Sequence, residues 1–243
     1  MGRSGPYGEN TAAIFRFLGK DRSGQLQFIC SDMWQAYLKV IAKKASQAIH
    51  ILDRFHIMQK MSKAIDKVRA AEVKQMLADG YEPILKGCRW LLLKRPENLS
   101  DYQAVKLKDL LQYNLKSVRS HLMKEDFQRF WTYTYPAWAG KFLDEWCTRA
   151  MRSRIEPMQA LAKTLRKKRE LLLNWFRADG ALSSGVVEGF NNKLKLALPH
   201  NLLLERRVEG GVFKALPSRN GRGSKRIYAI SASKNSRFVP SGF

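Results

Sequence analysis

Hydrophobic residues near the start of the chain form two short apolar runs with a helical pattern between them. The run LQFIC (26–30) lies between Ser-Gly and Ser-Asp, and QAIHIL (47–52) has alternating isoleucines, so each predicts a buried strand. In the intervening MWQAYLKVIAKKA, apolar residues recur at helical spacing. A strand, a helix and a strand this close together predict a crossover in which the two strands are parallel and adjacent.

From Phe55 to about Arg177 almost the whole pattern is helical. The first apolar stripe runs from Phe55 to Val68. Later stripes cover residues 90–93, 107–122, 142–147 and 161–176. Stripes of this kind are typical of the core of a helical bundle. They predict a large all-α region and say little about chemistry.

The last part of the chain, 199–243, has a different character. It holds two acidic residues, Glu205 and Glu209, against nine basic ones, with Gly-Gly and Gly-Arg-Gly sequences and no sustained period. Such a composition predicts a mostly disordered basic tail. The expected fold class is therefore α/β and predominantly helical, with two parallel strands, a large all-α region and a disordered tail.

The charge balance narrows the class of partner. The 243 residues include 44 Lys and Arg against 21 Asp and Glu, a formal net charge of +23. A hydrophobic content of 45% with 11% aromatic residues is enough for a packed core, which excludes a wholly disordered basic chain. A folded protein this basic is typical of nucleic-acid binding, and a generically basic soluble protein is the alternative.

Other features of the sequence indicate in which compartment of the cell the protein is located. No apolar run reaches about 18 residues, which predicts no membrane span, and the N-terminal MGRSGPYGEN lacks the apolar region of a secretory signal. Three widely separated cysteines, Cys30, Cys88 and Cys147, indicate a reducing compartment. Their spacing predicts neither a disulfide framework nor a zinc site.

Two candidate acids directly follow the predicted strands. Ligands of open parallel sheets bind beyond the carboxyl ends of the strands, so Asp32 and Asp53 are expected to face a shared cleft. An Asp also commonly caps a following helix, and for Asp32 both interpretations stay open. For Asp53 and the nearby His56, the residues alone favour a capping Asp and a buried, hydrogen-bonded His.

A third candidate acid, Glu188, lies in the segment SSGVVEGFNNKLK. If a helix begins near Gly185, Glu188 shares one polar face with Asn191, Asn192 and Lys195. A carboxylate, two amides and an ammonium on one face suit a metal ion beside a phosphate backbone. The alternative is that Glu188 completes a capping arrangement at the start of the helix.

Five segments together resemble one family. They are DMWQAYLKVIAKKA, AIHILDRFHIMQKM, KGCRWLLLKRPENL, FLDEWCTRA and LSSGVVEGFNNKLK. In order and spacing, from about Thr11 to Leu196, the chain resembles the bacterial insertion-sequence transposases of the DDE class, ISL3 type. The resemblance implies an RNase H-like fold with a helical insertion. It also implies Asp, Asp and Glu around two Mg²⁺ or Mn²⁺ ions, which cut and rejoin transposon ends by phosphoryl transfer.

The resemblance also assigns roles to individual residues. Asp32 corresponds to the second acid and Glu188 to the third, both as catalytic metal ligands. Asp53 and His56 match an Asp-x-x-His signature that follows the second acid in several DDE groups. With Arg54 they are expected to shape the site or contact DNA. The same is expected of the residues around Glu188, which are Asn191, Asn192, Lys193 and Lys195.

The implied partners are the terminal-repeat DNA of an insertion sequence, a second copy of the chain, and an intact transposase in mixed oligomers. The implied location is the bacterial cytoplasm, in association with the nucleoid. No membrane is expected to take part.

The match departs from the family pattern at both ends. Before Asp32 the only acids are Glu9 and Asp21, and neither lies on a plausible first strand. We therefore expect the first catalytic Asp to be missing, the chain to be N-terminally truncated, and the chain alone to be inactive. After Lys195 the family pattern is lost, and a frameshift there is a hypothesis that translation of the other reading frames would test.

Four regions follow from these observations. Residues 1–56 are expected to be a truncated half of the RNase H-like core, 57–182 the helical insertion, 183–198 a returning core helix, and 199–243 the tail. Two other outcomes compete with an enzyme fragment. One is a non-catalytic basic DNA-binding protein that modulates an intact transposase. The other is an unfolded product of a decayed gene.

Overall fold

The computed structural model describes residues 15–16, 19–21 and 23–178, together with three short strands within 206–230. It divides into two compact units. The first unit is Met1–Ile57 with Arg177–Phe243, and the second is Met58–Phe176.

The first unit contains the predicted crossover. Strand β1 (Phe28–Ser31) is followed by helix α1 (Gln35–Lys44) and strand β2 (Ile49–Leu52). The two strands are parallel, with Phe28 opposite Ile49 and Ser31 opposite Leu52. Apolar side chains of β1 and α1 pack in one buried cluster, because each element presents its hydrophobic face to the other. The prediction of two adjacent parallel strands joined by a helix is confirmed.

A third strand in this sheet comes from the predicted tail. Strand β5 (Ile227–Ile230) pairs antiparallel with β1, so the strand order is β2-β1-β5. Strands β3 (Arg206–Val208) and β4 (Gly211–Phe213) form a separate antiparallel pair. The prediction of a mostly disordered tail did not include these strands. The physical reason is that the free edge of β1 has backbone groups to satisfy, and the sequence IYAI suits an extended strand. The remainder of the tail lies outside the described residues.

Helices make up the second unit. They are α2 (Arg54–Ala78, which begins in the first unit), α3 (Arg89–Leu93), α4 (Asp101–Leu110), α5 (Lys116–Gln128), α6 (Pro136–Arg152), α7 (Glu156–Lys167) and α8 (Arg169–Arg177), with 3₁₀ turns at Pro96–Asn98 and Arg129–Thr132. With the parallel strands, this content agrees with the predicted α/β, mainly helical class. In the part of the chain that the structure describes, no helix is long and apolar enough to cross a membrane.

An aromatic cluster forms the centre of the helical unit. The ring of Phe127 lies 5.2 Å from Phe130 and 4.9 Å from Trp146, and Phe130 lies 5.0 Å from Phe176. All four are buried, and Trp146 Nε1 donates a hydrogen bond to the carbonyl of Met123 at 2.9 Å. Trp146 and Phe176, which lie in the predicted stripes, are therefore core, as predicted. Aromatic contacts in offset or edge-to-face geometry add to the gain from burial.

Polar side chains close several helix ends in this unit. The Glu72 carboxylate on α2 accepts hydrogen bonds from the backbone N–H groups of Lys116 and Ser117, which begin α5. A carboxylate at a helix N-terminus satisfies free N–H groups and matches the helix dipole. Nδ1 of buried His121 lies 2.9 Å from the carbonyl oxygen of Leu92, near the end of α3. These contacts fix helices of different parts of the sequence to one another.

Candidate functional site

The two acids of the first unit lie side by side at one edge of the sheet. Asp32 directly follows β1 and Asp53 directly follows β2, and the last paired residues of these strands are Ser31 and Leu52. Because the strands are parallel and in register, both acids stand at the carboxyl edge of the sheet. The backbone N–H of Asp53 donates to the carbonyl of Ser31 at 2.9 Å, which extends the pairing as far as this edge.

Asp32 is partly exposed, and among the described residues only one of its two carboxylate oxygens has a hydrogen-bond partner. Its Oδ1 accepts a hydrogen bond from the backbone N–H of Trp34 at 2.8 Å, an Asx turn that leads into α1. The described residues donate no hydrogen bond to its second oxygen, Oδ2. Burial, and after it the charge of Asp32, raise the pKa of Tyr37 to about 12. Asp32 therefore orders the turn and keeps one oxygen for another partner.

Asp53 is engaged through both oxygens. Oδ1 accepts the backbone N–H of Phe55 at 2.9 Å, and Oδ2 lies 3.5 Å from Nε2 of His56. The Asp53 side chain is only 3% exposed. Burial, with the charge of Asp53 as the second cause, raises the pKa of the Cys30 thiol. The Asp53 carboxylate therefore caps the first turn of α2 and lies beside His56. This arrangement agrees with the interpretation of a capping Asp and a His that has a partner. Arg54 is the first residue of that helix and is partly exposed.

A buried Ser–His pair lies under the same edge, and the sequence analysis missed it. Ser31 Oγ lies 2.7 Å from Nε2 of His50 and donates to the carbonyl of Asp32 at 2.9 Å. Since a hydroxyl has one proton, His50 satisfies both contacts by donating from Nε2 to Ser31. A signal in the sequence could have found this pair. His50 stands between two isoleucines of a predicted buried strand, and a buried polar group there needs a hydrogen-bond partner.

The described residues supply part of a metal site. Asp32 has an oxygen to offer, which fits the role of one ligand, whereas both oxygens of Asp53 are engaged. Within the ranges that the structure covers, no three His, Cys, Asp or Glu side chains are grouped so that they could hold a metal ion. The other predicted ligand, Glu188, lies outside the described residues. So do its predicted neighbours, Asn191, Asn192, Lys193 and Lys195.

Comparison with known proteins matches the sequence of this chain to one family. The family model of ISL3-type DDE transposases, described as "Transposase", matches residues 5–198. The transposase of insertion sequence element IS1001 from Bordetella parapertussis is 32% identical over 190 residues, which cover 77% of this chain and 46% of that protein. The transposase of IS1557 from Mycobacterium tuberculosis (strain CDC 1551 / Oshkosh) is 27% identical over 206 residues, which cover 75% and 46%.

Two further facts frame these matches. The chain spans less than half the length of these curated relatives. No solved structure matches it significantly. The matched range runs through the crossover, Asp32, Asp53, the helical unit and Glu188. The chain therefore belongs to the ISL3 family of DDE transposases.

Proposed function

We propose that this chain takes part in DNA transposition, as a segment of an enzyme that cleaves DNA at insertion-sequence ends and joins it to a target. The observation that supports the proposal best is Asp32. In a chain of this family, it stands at the carboxyl edge of parallel strands with one carboxylate oxygen that the described residues leave open. Such an oxygen is what a hard divalent cation binds.

In this proposal Asp32 and Glu188 hold the divalent metal, Mg²⁺ or Mn²⁺. When bound, a metal pair supplies an activated attacking oxygen and neutralises charge on the leaving one. The chain's own residues orient the ligand. The N–H of Trp34 donates to Oδ1 of Asp32, and the Ser31 hydroxyl donates to the Asp32 carbonyl. Asp53 and His56 shape the edge by fixing the start of α2.

We further propose that the chain alone does not cleave DNA. Two carboxylates are too few to hold two metal ions firmly, and charge neutralisation with positioning is nearly the whole of phosphoryl-transfer catalysis. The first acid of the family's three would have to come from another segment, whether in the same polypeptide or in a separate one. An intact transposase could supply this acid in a mixed oligomer, whereas a second copy of this chain lacks it too.

The test joins this chain to the part of the IS1001 transposase that precedes the matched region. In cells that carry a marker between IS1001 ends, the fusion is expected to excise the marker. Asp32→Asn and Glu188→Gln should each reduce excision to background, because each removes a metal ligand while nearly preserving shape. A soluble fusion that never excises the marker, or one that excises it with Asn at position 32, would contradict the proposal.

The charge of the chain supports a second candidate, a non-catalytic DNA-binding protein that modulates an intact transposase. A net charge of +23 favours contacts with phosphates without sequence readout. Such binding weakens steeply as the salt concentration rises, because the release of counterions from the DNA then becomes less favourable. For this candidate, the purified chain should bind any duplex with a steep salt dependence and should lower excision by an intact transposase, with Asp32→Asn unchanged in both respects.

A further inference from the structure

One surface of the helical unit brings exposed aromatic rings and cations together. Trp90 on α3 is 56% exposed and Tyr102 on α4 is 68% exposed. Apolar neighbours on the same helices, Leu91 and Leu107, are buried, so these two rings stand on the outer faces. We call this surface the aromatic–cation patch, and its members are Arg69, Arg89, Trp90, Tyr102 and Lys106.

Each exposed ring of the patch has a cation beside it. Cζ of Arg89 lies 5.1 Å from the centre of the Trp90 ring, and Nζ of Lys106 lies 4.8 Å from the centre of the Tyr102 ring. These are cation–π distances. A cation over one face of a ring restricts its motion, and both rings remain more than half exposed.

An acid on α2 fixes the guanidinium groups of the patch. Oδ1 of Asp66 lies 2.9 Å from Nη2 of Arg69, and its Oδ2 lies 3.1 Å from Nε of Arg89. One carboxylate therefore holds two arginines, and Lys106 adds a third cation. The patch remains positive after this pairing, since three cations face one acid.

Two observations indicate that the members of the patch on the three helices lie near one another. Burial raises the pKa of the Cys88 thiol, and the charges of Lys106 and then Arg69 lower it, so both cations lie within electrostatic reach of the same sulfur. Cys88 directly precedes Arg89. Nζ of Lys94, just after α3, also donates to Oε1 of Gln103 on α4 at 3.1 Å, which holds these helices together.

We propose that the aromatic–cation patch binds single-stranded DNA. Unpaired bases would stack on Trp90 and Tyr102, while Arg89 and Lys106 meet the phosphates on either side. Exposed rings with cations beside them suit a single strand, because the bases of a duplex are already stacked on one another. The choice of nucleic acid as ligand rests on the proposed function and on the positive charge. The patch itself is composed of residues outside the catalytic edge.

The test is fluorescence anisotropy with the full chain and a labelled oligothymidylate of about 20 nucleotides, longer than most single-strand sites. The double variant Trp90→Ala, Tyr102→Ala is expected to raise the Kd at least about 25-fold, since each lost stacking contact accounts for about fivefold or more. Trp90→Phe with Tyr102→Phe should keep most of the affinity, because phenylalanine also stacks. The matched control is Tyr135→Ala, which removes another tyrosine that is 68% exposed and should leave the Kd within about twofold.

The salt dependence provides a second readout for the cations. Lys106→Gln should make the slope of log K against log salt shallower by about 0.7, the value for one phosphate contact of a single strand. An unchanged slope, or a double alanine variant that binds oligothymidylate like the parent chain, would overturn the proposal. A double variant that instead loses only self-association would overturn it in favour of a protein interface.

These outcomes are separate from those of the proposed function. Excision by the fusion described above tests Asp32 and Glu188, and it can succeed whether or not the patch binds a single strand. Conversely, strand binding that depends on Trp90 and Tyr102 supports the patch even if no fusion excises the marker. An unchanged thermal unfolding curve for the double variant would confirm that a lost affinity is not a lost fold.

Discussion

Asp32 and Asp53 form the same local motif at neighbouring strand ends, yet their environments differ. Each accepts, through Oδ1, the backbone N–H of the residue two positions later, at 2.8 Å for Trp34 and 2.9 Å for Phe55. The second oxygen of Asp53 faces His56 in a site that is 3% exposed, whereas the described residues leave Oδ2 of Asp32 open. The comparison teaches that the motif alone does not assign the role. The environment of the second oxygen distinguishes a structural carboxylate from a candidate ligand.

The largest expected effect on stability belongs to Asp53. Asp53→Ala should lower the free energy of unfolding by about 2–4 kcal/mol, because α2 loses its first-turn acceptor and His56 loses its buried partner. Urea unfolding followed by circular dichroism measures this change. Asp53→Asn is the control, since it keeps an acceptor for Phe55 and should be less harmful. A loss below about 0.5 kcal/mol for the alanine variant would show that Asp53 is not a structural carboxylate.

The buried pair under the edge comes next. Ser31→Ala should lower the free energy of unfolding by about 1–2 kcal/mol, because it leaves His50 without this partner and frees the Asp32 carbonyl. The same urea experiment measures it. Ser120→Ala, which removes a hydroxyl bonded within its own helix, is a control of equal size and should be less costly. Equal losses for the two serine variants would show that the hydrogen bond to His50 contributes no more to stability than a hydroxyl bonded within its own helix.

Asp32 should be the least important of the three for stability. Asp32→Ala removes one Asx turn from a partly exposed residue, so the expected loss is about 0.5–1 kcal/mol, below that of Asp53→Ala. In the excision assay the order should be reversed, with the Asp32 variant at background. The comparison fails if Asp32→Ala unfolds the chain as readily as Asp53→Ala does, because Asp32 would then be a structural residue as well.

The smallest effect concerns Tyr37, which reports the charge of Asp32. Its pKa is about 12 in the folded chain, with burial as the first cause and Asp32 as the second, against an ordinary value of 10.0. Because the folded pKa is raised, this contribution to stability is complete below about pH 10 and is lost as the pH rises towards 12. Asp32→Asn should lower the Tyr37 pKa modestly, as measured by NMR titration with labelled tyrosine. No shift would mean that the charge of Asp32 does not act on the Tyr37 hydroxyl.

The sequence predicted local features of the fold better than distant ones. The crossover was predictable because LQFIC and QAIHIL are short apolar runs with a helical segment between them, and the pairing is local. Strand β5 was not, because IYAI lies in a basic, glycine-rich segment and its partner is at the other end of the chain. The stripe at 90–93 was predicted to be core, which is right for Leu91 and Leu92 and wrong for Trp90. Four consecutive apolar residues cannot all face one side of a helix.

The candidate site shows the same limit. The positions of Asp32 and Asp53 at one edge followed from strand order. The open oxygen of Asp32 did not, since it depends on what surrounds the carboxylate in three dimensions. The bond between Ser31 and His50 was missed for a similar reason. Both residues lie within strands, where the alternation of apolar residues gives no sign of a polar pair.

The position of β5 has a consequence for the synthesis of the chain. Strand β1 lies in the middle of the sheet, between β2 and β5. The ribosome synthesises β2 soon after β1, but it synthesises β5 much later. At roughly 5–20 residues per second, a ribosome needs on the order of 10–40 s to proceed from β1 to β5. During that interval the nascent chain carries an unpaired strand edge, the kind of surface that recruits chaperones or joins a neighbouring nascent chain on the same messenger RNA.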